Sequence, residues 1–94
     1  MDDVRTGPVA TEMLWRLNSA LSPTRMELVD DSEAHRGHGG YTPAGESHFR
    51  LSIESPAFAG KSRVERQRMV YAALDDLMRE RVHALSINAV APGE

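Results

Sequence analysis

The sequence predicts a small α+β domain of element order α-β-β-α-β: one three-stranded mixed sheet with both helices packed on one face. Three observations carry this. Met13, Leu14, Leu17, Ala20 and Leu21 recur at helical spacing near the start of the chain. His48 to Glu54 alternates strictly, with Phe49, Leu51 and Ile53 on one side and His48, Arg50, Ser52 and Glu54 on the other. A long segment with apolar residues at helical spacing, 62–80, then leads into a further strand over 82–90, and a strand–helix–strand connection of this length is that of a right-handed parallel crossover. Both helical stripes can be buried only against the apolar side of the strands, which places the helices on one face.

Residues 1–7 show no periodicity and read as a flexible tail. Pro8 suits the first turn of a helix, which runs over about 8–21 and stops at Ser22-Pro23, because proline cannot continue it. Thr24 to Asp30 reads as a strand, with Met26 and Leu28 on one face and Arg25 and Glu27 on the other. Asp31 to Ser47 reads as a long loop holding four glycines, Pro43, His35 and His38, and loops of this length in a small domain are often functional. After the 48–54 strand, Pro56 and Gly60 break the chain, with room for one helical turn near Ala57. The second helix is expected over 62–80, capped by Ser62, with Val64, Val70, Tyr71, Leu74, Leu77 and Met78 as its apolar side. Three arginines in its first two turns oppose the helix dipole, so those charges serve something other than helix stability. The domain is therefore expected over 8–90, with 91–94 as a C-terminal tail.

Ninety-four residues, 40% of them apolar, support one small core and leave little room for a deep substrate cavity. A shallow surface site, or one shared with a partner, fits better than an enzyme. The absence of cysteine excludes disulfides and any all-thiolate zinc or iron–sulfur site built from this chain alone. No apolar run approaches the roughly 18 residues needed to span a membrane, and the start of the chain lacks the apolar stretch of a secretory signal; a cytoplasmic location is expected. The net charge is −3 but uneven: residues 61–81 carry Lys61, Arg63, Arg66, Arg68, Arg79 and Arg81 against Glu65, Asp75, Asp76 and Glu80, a mildly cationic block. A dedicated nucleic-acid binder is usually more basic overall.

Several motif matches fail on context. Gly60-Lys61-Ser62 resembles the end of a phosphate-binding loop, but the earlier glycine that motif needs falls at Ser55. Gly37-His38-Gly39-Gly40 matches the GXXG string of nucleic-acid-clamping KH loops, yet it lies between two strands rather than two helices. Ser47 and His48 are neighbours on a strand edge and point to opposite faces, so they do not form a nucleophile–base pair, and His48 reads as an exposed strand residue. Two constellations remain. His35, His38 and His83 supply imidazoles, which ligate iron, zinc and copper, although three dispersed histidines more often mean a solvated loop and a structural position at the sheet edge. Lys61, Arg63, Arg66 and Arg68 supply a cationic helix start, either a nucleic-acid contact or a solvated face.

From about residue 9 to 90 the chain resembles the BolA family, proteobacterial type. The resemblance is carried in order by Val29-Asp30-Asp31-Ser32, the HxGHxG loop His35 to Gly40, Glu46-Ser47-His48-Phe49, Phe58-Ala59-Gly60-Lys61, Arg66-Gln67-Arg68-Met69-Val70-Tyr71 and Val82-His83-Ala84-Leu85. It implies a KH-like fold without a working GXXG loop. It also implies a non-enzymatic partner of a monothiol glutaredoxin, sharing a [2Fe–2S] cluster in iron–sulfur cluster handling or iron sensing. On this resemblance the glutaredoxin supplies a cysteine and a glutathione thiolate. This chain supplies His83 and a loop histidine, His35 with His38 as the alternative, and the isolated chain is a cluster-free monomer. His ligation of half a cluster has a precedent in Rieske centres. The alternative implied by the family is a DNA-binding transcriptional regulator of stress and morphology genes, acting through Lys61, Arg63, Arg66 and Arg68. Two departures stand out: Gln67 occupies a position usually held by His, and the chain ends without the longer C-terminal extension of some relatives.

Overall fold

The computed structural model describes residues 7–31 and 48–94. Helix α1 (Pro8–Leu21) is followed by strands β1 (Arg25–Asp30) and β2 (His48–Glu54), a single 3-10 turn (Pro56–Phe58), helices α2 (Arg63–Leu74) and α3 (Asp76–Glu80), and strand β3 (Ala84–Val90). The sheet order is β1-β2-β3, with β1 antiparallel and β3 parallel to the central strand β2. The mixed sheet and its helical crossover are as the sequence predicts.

Register explains the core. Met26, Ile53 and Ala89 form one cross-strand row, Leu28, Leu51 and Ile87 the next, and Asp30, Phe49 and Leu85 the last. Phe49, Leu51 and Ile53 are almost fully buried against Val9, Ala10, Met13, Leu17 and Leu21 of α1 and Val70, Leu74 and Leu77 of the second helical segment, while Arg50 and Ser52 stay exposed. Buried Ser55 ties the layers together: its hydroxyl donates to the Leu21 carbonyl at 2.5 Å and accepts from the Ala57 N–H at 3.1 Å, and its own N–H donates to the Val90 carbonyl.

The continuous helix expected over 62–80 is broken at Asp75, which takes φ 51° and ψ −122°. Arg16 spans the break: its Nη1 donates to the Leu74 carbonyl and to Asp76 Oδ1, both at 2.8 Å, and its Nε to Glu12. Val64 and Tyr71, assigned to the apolar side, are 58% and 40% exposed. The buried face runs through Val70, Leu74 and Leu77, and successive residues turn about 100° apart, so Tyr71 rotates off it and Val64 falls further round. His48, read as exposed, is 6% exposed.

The beginning of α2 is well determined by its sequence. Ser62 Oγ accepts from the Glu65 N–H, and Glu65 Oε1 accepts from the Ser62 N–H, a complete capping box. These bonds hold the Glu65 carboxyl below its usual range. Residues 91–94, read as a tail, are held down: Ala91 is buried, and Glu94 bonds both Arg66 and the Ala91 N–H.

Candidate functional site

Two groups of candidate residues sit at opposite ends of the parallel β2–β3 pair. At the first end, His48 opens β2 opposite Ala84 of β3, and His83 immediately precedes that strand. The strand expected over 82–90 begins two residues later, at Ala84, so His83 lies just outside it in the bend leading in, and it is exposed. The two imidazoles meet edge to face, with centroids 5.9 Å apart and planes at 80°. A buried ring against an exposed one limits the orientations open to His83 while leaving it accessible. Close by, the Asp31 N–H donates to the His48 carbonyl and Arg50 pairs with Asp31 at 3.3 Å, so the end of β1 is fastened to the same corner. His35 and His38 lie outside the described residues. Among the described residues no three potential ligands gather to form a metal site.

At the other end, the start of α2 lies against β3. Lys61, Arg63, Arg66 and Gln67 face Ile87, Asn88 and Ala89 across a groove of about 460 Å³. Positions 63, 66 and 67 share one helical face, whereas Arg68 is rotated away and does not line the groove. Arg66 differs from its cationic neighbours. Its side chain is 13% exposed, its Nε donates to the Lys61 carbonyl, its Nη1 to the Ala89 carbonyl and to Glu94 Oε1 at 2.6 Å, and its Nη2 to Glu94 Oε2 at 2.7 Å. The paired carboxylate raises the Arg66 pKa, and Arg66, together with the Ala91 N–H, holds the Glu94 carboxyl down at about 2. Lys61, Arg63 and Arg68 are exposed. Sequence reasoning missed His48 and Glu94. The strict alternation in 48–54 marked His48's face but not what covers it, and no local signal links Glu94 to a residue so distant in the chain.

The BolA-like protein family model matches residues 17–94. The chain belongs to the BolA family. It is 43% identical over 83 residues to the SufE-like protein 1 of Arabidopsis thaliana, an alignment covering 84% of this chain and 22% of that protein. It is 38% identical over 88 residues to BolA-like protein 1 of Bos taurus, covering 94% of this chain and 62% of the relative. The chain thus spans about a fifth of the first relative and about three fifths of the second. The solved BolA domain of SufE1 from Arabidopsis thaliana superposes with a TM-score of 0.82 at 41% identity, covering 92% of this chain and 94% of that one. Among the described residues of this BolA-family chain, no helix is long and apolar enough to cross a membrane.

Proposed function

We propose that this BolA-family protein is a non-enzymatic partner of a monothiol glutaredoxin, sharing a [2Fe–2S] cluster with it in iron–sulfur cluster handling or iron sensing in the cytoplasm. The observation that carries the reading is the exposed His83 imidazole, braced edge-on by buried His48 at the corner of the sheet. A ligand for a group delivered by another protein has to be reachable, and it has to arrive already oriented. The chain has no thiolate, so it would contribute imidazoles and leave the thiolate ligands to the partner. His83 and a loop histidine, His35 before His38, would hold the cluster from this side. Bound there, the cluster would supply electron-storage or iron-delivery chemistry, while this chain supplies the imidazole and fixes its direction. A BolA domain within a SufE-like protein is consistent with an iron–sulfur-related role.

The test is reconstitution of the heterodimer with a monothiol glutaredoxin and glutathione, followed by visible absorbance and cluster lability. His83→Ala should alter both strongly, and His35→Ala should do so more than His38→Ala. The chain alone should bind iron poorly, lacking thiolates and preorganised ligands.

A second reading, DNA binding, is favoured by the groove between α2 and β3. Lys61 and Arg63 stand exposed there, and neither is held in an ion pair among the described residues. The overall charge of −3 opposes tight binding to a phosphate backbone. Arg63→Ala should therefore weaken an already weak association and flatten its salt dependence.

A further inference from the structure

One cation of the groove, Arg66, is already paired with an anion of the same chain. The guanidinium of Arg66 spends four of its five N–H donors inside the molecule, two of them on the Glu94 carboxylate, which also accepts from the Ala91 N–H at 3.0 Å. This is a fork-to-fork pair, the geometry in which arginine binds carboxylates and phosphates most strongly. The carboxylate satisfies one cation of the groove, and Lys61 and Arg63 remain exposed on the same rim. A ligand complementary to the two cations that are left carries negative charge of its own. The rest of the lining suits a nucleic-acid strand: Gln67 and Asn88 offer amides for base edges, and Ile87 an apolar surface for a base.

We infer that Glu94 is a built-in competitor for the groove: its carboxylate occupies Arg66, and a nucleic-acid phosphate gains that arginine only by displacing it. The inference deepens the DNA-binding reading and does not depend on the glutaredoxin reading. It also accounts for an arginine that lies on the groove face of α2 yet is mostly covered. Because the Glu94 carboxyl is held far below neutrality, the contact opens by competition from another anion or by movement of residues 91–94, not by protonation near neutral pH.

The experiment measures binding of a labelled DNA duplex to the full chain by fluorescence anisotropy across a salt series. Wild type is compared with Glu94→Gln, Arg66→Gln, the double variant and Glu80→Gln, the last removing an exposed carboxylate elsewhere on the surface. Circular dichroism first establishes that each variant is folded. Glu94→Gln should bind several-fold more tightly, with the salt slope steeper by about one phosphate contact. Glu80→Gln should match wild type, and the gain should vanish in the double variant. The inference is overturned if Glu94→Gln leaves affinity and slope unchanged, if Glu80→Gln gains as much, or if the gain survives loss of Arg66. If wild type binds DNA and Glu94→Gln adds nothing, the DNA reading stands and the competitor falls. If no variant binds DNA, both fall. A polyglutamate peptide that gains as much as DNA overturns the assignment to nucleic acid.

Discussion

The two ends of the β2–β3 pair use polar residues in opposite ways. At the His83 end, a buried imidazole supports an exposed one, so the interior orients a group that faces outward. At the Arg66 end, a charge that could face outward is drawn back by two carbonyls and a carboxylate of the same chain. The lesson is that residue type marks a candidate, but availability is set by what the rest of the fold has already bonded. Arg63 and Arg66 are equivalent in the sequence. In the structure, Arg63 is exposed and Arg66 is mostly covered.

The largest effect belongs to the core that holds the two ends in register. Leu51 lies mid-strand in β2, paired with Leu28 and Ile87 and almost fully buried. Leu51→Ala should cost about 2–5 kcal/mol in urea melts. A loss under about 1 kcal/mol would mean that the ends are not coupled through this core.

The next test separates the histidines. His48→Ala removes a buried ring and should destabilise by about 1–3 kcal/mol, whereas His83→Ala removes an exposed one and should stay within about 0.5 kcal/mol. Equal losses would make His83 a structural residue and erase the contrast between the two ends.

Acid titration probes the Arg66 end. The Glu94 carboxyl is depressed from 4.5 to about 2 in the folded chain, chiefly by the Arg66 bond. A lowered folded value means that its stabilising contribution is complete above the unfolded pKa and is lost as pH falls through the folded one. Wild type should therefore lose more stability than Glu94→Gln between about pH 5 and pH 2, with the two curves parallel above that window. Parallel curves throughout would show that the contact does not persist in solution.

The smallest effects lie at the helix ends. Ser22 closes α1 in the left-handed region, φ 45° and ψ 58°, so Ser22→Gly should stabilise by a few tenths to about 1 kcal/mol. Asp75→Gly should likewise raise the melting temperature by relieving the positive φ at the helix break. If it lowers stability instead, the Asp75 side chain contributes more than its exposed 3.9 Å pairing with Arg79 indicates.

Much of this fold is legible in the sequence because its signals are local. Pro8 and Pro23 bracket α1, alternation marks β2, and Ser62 announces α2. The break at Asp75 carries no glycine or proline; Arg16, from a distant helix, secures it. The candidate site was legible only in part. Val82-His83-Ala84-Leu85 pointed to His83, but the bracing by His48 depends on strand register. The Arg66–Glu94 pair joins residues with no periodic relation. The cationic run revealed composition and not which of its members is already engaged.

His83 is proposed as the ligand that this chain offers to a cluster brought by a partner. The most direct measurement is pulsed electron paramagnetic resonance on the reduced, reconstituted glutaredoxin heterodimer, with the histidines of this chain labelled with nitrogen-15. Strong imidazole nitrogen couplings to the cluster are expected in wild type, with one of them lost in His83→Ala while the fold stays intact. Couplings unchanged by His83→Ala would contradict that assignment.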